Sequence, residues 1–197
     1  MTKIILATTS PYRIEAFKFL GINFVAEGSK VDESLVERTD PEKLVSVLSK
    51  MKAEAVSKNH SDATVIGMDS VGCFNGKILE KPKSREEGFA RLVSLSENCF
   101  QFYTGIYMIN TADKKELSRV VITDACFRKI NESEINQYLN EDPNFMTYAL
   151  GFDSLGHFSS TFISKIEGSY NNVLRGIPLE VIVEMLYNMG YKTNKRA

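Results

Sequence analysis

The chain reads as an α/β protein built on a mixed sheet, and three observations carry that reading. Near the start, apolar β-branched runs alternate with segments whose apolar residues recur at helical spacing. In the middle third, extended runs follow one another across short turns at Asn75-Gly76 and Asp113-Lys114-Lys115, the mark of antiparallel pairs. The length of 197 residues, with 43% hydrophobic and 25% charged, suits one domain over 1–197 with a sizeable core. The first observation needs crossover helices and the second needs hairpins, so a purely parallel sheet is excluded.

The elements follow in order. Lys3 to Ala7 is a short apolar run that suits a buried strand. Ser10 then precedes Pro11 as an N-cap precedes a proline at the first helical position. That helix runs to about Leu20, with Ile14, Phe17 and Leu20 on one face, and Gly21 closes it. Residues 22–26 form a second strand, and a polar stretch holds Val31-Asp32-Glu33-Ser34. Asp40-Pro41 starts a long helix to about Lys58, burying Leu44, Val45, Val47, Leu48 and Met51. A strand from Thr64 continues through Asp69 to the Asn75-Gly76 turn, and Lys77-Ile78-Leu79 returns. Ser84 caps a helix over about 85–95 with Ala90, Leu92 and Leu95 inward. Residues 99–109 are an aromatic-rich strand, in which Thr104-Gly105 marks a bulge or a close backbone approach. Residues 117–127 return as the next strand, and Asn131 with Glu134 resembles a capping box for a helix through Leu139. Residues 148–156 are irregular, 161–166 form a strand, and a last helix buries Leu179, Ile182, Met185 and Leu186. Residues 192–196 are a basic tail, read as a frayed terminus.

Composition narrows the function. Lys plus Arg is 24 and Asp plus Glu is 25, so no basic field favours nucleic acid or a membrane surface. There is no apolar run of membrane-spanning length and no signal-peptide pattern. The three cysteines, Cys73, Cys99 and Cys126, are widely spaced and show no zinc or redox motif, which suits a reducing cytosol and a cytoplasmic location. Two histidines poorly supply a His-based metal site or a Ser-His triad.

The chemistry gathers at a few positions. A strand that ends in Thr8, Thr9 and Ser10 and opens a helix presents free N–H groups and a positive dipole end, a site for an anion such as phosphate. Arg13 in the first turn opposes that dipole, and an anionic ligand would explain it. Asp69 lies within an apolar strand, where a carboxylate is costly unless it is paired, hydrogen-bonded or metal-bound. The alternative for Asp69 is an edge position pointing into water. Glu33 and Asp32 are either loop acids or ligands; Lys52 and Lys81 are either solvated lysines or phosphate ligands. Together, carboxylates for Mg²⁺ or Mn²⁺, cations and a helix N-terminus fit phosphoanhydride hydrolysis. There is no Walker A sequence.

In their order and spacing, Ile4 to Arg13, Val31-Asp-Glu33, Lys52-Ala53, Ile66-Gly-Met-Asp69, Gly76 to Pro82, Tyr103-Thr-Gly105, Ile166-Glu-Gly168 and Gly176 to Leu179 resemble the Maf family of nucleoside triphosphate pyrophosphatases. The resemblance covers almost the whole chain. It implies a twisted mixed β-sheet flanked by helices, in two lobes with a deep nucleotide-binding cleft. It implies hydrolysis of a nucleoside triphosphate to the monophosphate and pyrophosphate with a divalent metal, Mg²⁺ or Mn²⁺. Asp69 would be the proton acceptor, Glu33 and Asp69 would hold the metal, and Ser10, Arg13, Lys52 and Lys81 would hold the phosphates. A homodimer is expected from the family; a nucleic-acid or membrane partner is not.

Base specificity would rest on Tyr12, Ser70 and Leu155. The pyrimidine branch, acting on dTTP and UTP, usually has Arg where this chain has Tyr12; an aromatic there is similar to the 7-methyl-GTP branch. The cationic N7-methylguanine ring suits an aromatic face. Phe100 to Gly105 and Phe152 to Gly156 also resemble that branch. Ser70 matches neither branch, and Leu155 stands where that branch usually carries Glu; Asp153 would substitute only if the loop shifts. The expected substrate is 7-methyl-GTP or a related modified nucleotide. The alternatives are a dTTP/UTP pyrophosphatase and a non-catalytic nucleotide-binding regulator of cell division.

Overall fold

The computed structural model describes residues 2–191, and the basic segment 192–196 lies outside the described residues. Thirteen regular elements follow in order: β1 (Lys3–Ala7), α1 (Pro11–Lys18), β2 (Phe24–Ala26), α2 (Pro41–Ser57), β3 (Ala63–Phe74), β4 (Lys77–Leu79), α3 (Arg85–Leu95), β5 (Cys99–Asn110), β6 (Glu116–Phe127), α4 (Glu132–Glu141), β7 (Ile163–Glu167), α5 (Tyr170–Arg175) and α6 (Leu179–Asn188). The strands make one seven-stranded mixed sheet in the order β2-β1-β3-β5-β6-β7, with β4 on β3. β1 pairs parallel with β2 and β3, joined through α1 and α2; β3, β5, β6 and β7 are antiparallel. Short turns join β3 to β4 and β5 to β6, with positive φ at Asn75, Gly76 and Lys114.

Alternation along β3 and β5 divides the core. Ile66, Met68, Ile106 and Met108 point to one face and pack under α1 and α6 with Phe17, Ile182 and Met185. Farther along the same face, Phe100 and Phe102 join Phe127, Tyr138, Phe152 and Phe162 beneath α3 and α4. These two apolar masses are the two lobes. The other face carries α2, through Leu44, Val45 and Leu48 beside Val71, and Ala53 and Val56 beside Tyr107. Two glycines let α2 lie against the sheet. A Cβ on Gly105 would stand 2.1 Å from the Val45 carbonyl oxygen, and one on Gly67 would stand 2.1 Å from that of Ser49. Thr104-Gly105 is thus a close backbone approach within an unbroken β5. An added methyl there forces a backbone shift that costs about 1–3 kcal/mol.

One irregularity of the sheet positions the site. β1 leaves β3 at the Ala7–Gly67 pair, and β4 joins the same edge only at the Gly72–Leu79 pair. Residues 68–71 therefore have no strand on that edge. The chain turns away from β1 there, and the cleft between the lobes opens onto the gap.

The sequence reading differs in several places. Ala90, expected inward, is exposed, and Gly88 and Leu92 face the core instead. α5 was not foreseen; it is a six-residue helix closed by Gly176 in the left-handed region. Of the three widely spaced cysteines, Cys73 is free and buried. Cys99 and Cys126 stand opposite each other in the β5–β6 ladder and form a disulfide. Widely spaced residues in sequence become neighbours when two long strands pair. The disulfide removes the cysteine argument for a reducing compartment.

Candidate active site

The open edge of β3 presents two adjacent side chains to opposite faces. Ser70 turns toward α1 and Asp69 toward α2. Both line the cleft of about 1660 Å³ that runs between the lobes. Asp69 is buried and Ser70 half-buried.

Arg13 closes the gap on the Ser70 side. Ser10 caps α1, accepting from the Arg13 N–H at 3.4 Å, and so places the Arg13 side chain across the end of β1. Its guanidinium donates to the Met68 carbonyl at 3.1 Å, which satisfies a backbone group left without a strand. It also donates to the Gly176 carbonyl at 2.8 Å and to Ser70 Oγ at 2.6 Å. Ser70 Oγ in turn shares a hydrogen bond with Thr104 Oγ1 at 2.6 Å. Three of the five guanidinium N–H groups are thus placed and two remain. Burial lowers the Arg13 pKa from its ordinary value, while the charges of Asp69 and Glu33 act to raise it. The Arg13 position that opposes the helix dipole is therefore explained by these three acceptors and two carboxylates.

On the other face, Lys52 of α2 joins the two acids. Its Nζ stands 2.6 Å from Asp69 Oδ1 and 2.8 Å from Glu33 Oε1. The Lys52 and Asp69 side chains are only 13% and 11% exposed, so solvent screens this pair weakly; Glu33, at 42%, reaches in from the rim. Glu33 opens a short 3₁₀ turn that Asp32 caps. The Asp32 carboxylate accepts from Ser34 N at 3.0 Å and Ser34 Oγ at 2.6 Å, which holds its pKa below the ordinary value. Asp32 is thus a turn cap, and only Glu33 of that pair meets Asp69.

Glu33 and Asp69 offer hard oxygen donors that already converge on one cation, the Lys52 ammonium. That donor set fits Mg²⁺ or Mn²⁺. Among the described residues no three acidic, His or Cys side chains converge. Lys81 follows β4, is exposed, and lines the same cleft without an ion pair among the described residues. Ser10, Arg13, Lys52 and Lys81 all border one cleft.

The far end of the cleft is aromatic. The Tyr12 ring on α1 meets the Tyr148 ring of the second lobe with centroids 5.1 Å apart and planes tilted by 48°. Burial, and the hydrogen bond with Tyr12, hold the Tyr148 hydroxyl well above its ordinary pKa. Asp153 lines the cleft here, but its carboxylate is engaged. It accepts from Leu155 N and Gly156 N, each at 3.0 Å, and faces Arg175 at 3.6 Å. Leu155, expected at the base, is 41% exposed and does not line the cleft among the described residues. Sequence reasoning missed Thr104, the Gly176 carbonyl, Tyr148 and Arg175 as partners in the site. Only Thr104 and Gly176 fell within stretches it had singled out.

Comparison with known proteins bears on both the fold and this arrangement. A protein from Coxiella burnetii described as a HAM1 protein shares the fold at a TM-score of 0.52, with 14% identity over 95% of this chain and 100% of that one. A Clostridium perfringens protein named dTTP/UTP pyrophosphatase is 39% identical, covering 94% of this chain and 96% of its own. A Pelotomaculum thermopropionicum protein of the same name is 36% identical, covering 97% and 98%. A Rippkaea orientalis protein named nucleoside triphosphate pyrophosphatase is 31% identical, covering 95% and 90%. The family model described as Maf-like protein matches residues 3–189, a span that takes in every residue of the cleft discussed above. With that match and relatives of this similarity, the chain belongs to the Maf-like protein family.

Proposed function

We propose that this chain hydrolyses a nucleoside triphosphate to the monophosphate and pyrophosphate, with Asp69 as the base that takes a proton from the attacking water. The observation that carries the reading is the buried Asp69 at the unpaired edge of β3, flanked by Lys52 and Arg13 and joined to Glu33 across one ammonium. With Oδ1 taken by Lys52, the second oxygen of Asp69, Oδ2, suits proton abstraction, and its burial keeps bulk water from competing. Ser10 and the N-terminus of α1, with Arg13, Lys52 and Lys81, would hold the phosphates. Glu33 and Asp69 would hold the divalent cation, which when bound supplies positive charge against the triphosphate. The names of the relatives support the reaction class.

For the base, dTTP or UTP is the better supported substrate. The relatives named for it cover nearly the whole chain, and Asp153, the carboxylate considered for a guanine N–H edge, is already engaged by Leu155 N and Gly156 N. One observation favours 7-methyl-GTP instead: the Tyr12–Tyr148 pair offers aromatic faces to a cationic ring. Pyrophosphate release across dTTP, UTP, GTP and 7-methyl-GTP, with Mg²⁺ or Mn²⁺ present, decides between them. Turnover of dTTP and UTP above 7-methyl-GTP is expected. The reverse order returns the assignment to the methylated base, and no turnover of any triphosphate leaves the regulator of cell division as the reading.

A further inference from the structure

We infer that Lys52 is an internal counter-ion that occupies both carboxylates until nucleotide arrives, so that the divalent cation enters together with the triphosphate and not before it. The inference rests on the reading of Glu33 and Asp69 as metal ligands. Lys52 Nζ is 2.6 Å from Asp69 and 2.8 Å from Glu33, so one ammonium fills the place where the two acids converge. The local charge is already balanced: two carboxylates face Lys52 and Arg13. Arg13 is fixed by Met68, Ser70 and Gly176 and does not leave.

A bare divalent cation therefore has to displace the ammonium and add two positive charges beside a held guanidinium. The described residues offer it no third acidic, His or Cys ligand in compensation. A triphosphate changes both conditions. It brings negative charge that Lys52 can pair with, and oxygen atoms that complete a site the protein leaves short. Lys52 borders the cleft, so its ammonium has phosphate within the same space to turn to.

The opposing account is that Lys52 only ties α2 to β3. Both accounts predict that Lys52→Met loses thermal stability; only the inference predicts that it gains metal affinity. Mn²⁺ binding to the full chain without nucleotide, read by electron paramagnetic resonance, separates them. Lys52→Met is expected to bind Mn²⁺ at least tenfold tighter than wild type, and Mn²⁺ is expected to raise its melting midpoint more. If Lys52→Met does not fold, Lys52→Gln serves, and wild type alone gives a second reading. Its bound Mn²⁺ should rise at least tenfold when a non-hydrolysable α,β-imido analogue of UTP is added. Wild type that binds Mn²⁺ alone as tightly as the variant, or as tightly as with the analogue, overturns the inference. A UTP analogue that fails to bind counts against the pyrimidine assignment, a 7-methyl-GTP analogue that also fails counts against the proposed hydrolysis, and the nucleotide-free comparison still decides the role of Lys52.

Discussion

At the charged end of the cleft, Asp69, Ser70, Lys52 and Arg13 all stand on regular elements, and each is held by a partner from another element. At the aromatic end, Tyr148 and Asp153 lie on the irregular chain between α4 and β7, and only Tyr12 belongs to a helix. The charged end is fixed by ion pairs and by strand geometry. The aromatic end is tied through Tyr138, whose hydroxyl donates to Asp142 at 2.9 Å and accepts from Asp153 N at 3.0 Å. On the proposed reading, a chemistry common to all triphosphates would sit on rigid elements, and selection of a base would vary on a loop without disturbing it.

The contrast can be broken by substitution at either end. Asp69→Asn removes the proposed proton acceptor but keeps the shape. Turnover should fall on the order of 1000-fold, while the Kd for nucleotide measured by calorimetry changes little. Ser70→Ala removes an acceptor from Arg13 and leaves Thr104 without its partner. A hydrogen bond to a charged group is worth about 1.5–3 kcal/mol, so kcat/KM should fall at least tenfold, by the same factor for every nucleotide. A base-dependent loss would give Ser70 a part in reading the base. Tyr148→Ala removes one aromatic wall, worth about 0.5–1.5 kcal/mol beyond burial. KM should rise roughly three- to tenfold, unequally among the nucleotides, with kcat kept; an equal rise for all would show that the aromatic pair does not read the base. Asn131→Ala breaks the capping box with Glu134 that starts α4. It should cost about 1 kcal/mol in the urea midpoint and leave kcat unchanged.

How much of this was legible in the sequence follows the same division. Ser10-Pro11 announced the helix start, because capping chemistry is local. Asp69 stood out because a charge within an apolar strand is costly. The mixed sheet followed from the alternation of periods and the Asn75-Gly76 turn. Lys52 was picked out beside the acids but stayed open between a solvated lysine and a phosphate ligand, since one lysine on an amphipathic helix resembles any other; only the family resemblance favoured the ligand. The grip of Arg13 on Met68 and Gly176 joins residues 55 and 163 positions away, which no local pattern reports. Tyr148, Arg175 and the engagement of Asp153 were hidden for the same reason, and the Cys99–Cys126 pairing needed the β5–β6 register. The gap along β3 at residues 68–71 was invisible because it depends on where two other strands stop.

On the proposed reading, the charged end of the cleft cleaves a triphosphate between its α- and β-phosphates. Product analysis of wild-type turnover, by chromatography of the nucleotide and separate assays for pyrophosphate and inorganic phosphate, tests it most directly. Nucleoside monophosphate and pyrophosphate are expected in equal amounts, and both should fall on the order of 1000-fold in Asp69→Asn. Nucleoside diphosphate with inorganic phosphate, or undiminished product from Asp69→Asn, would contradict it.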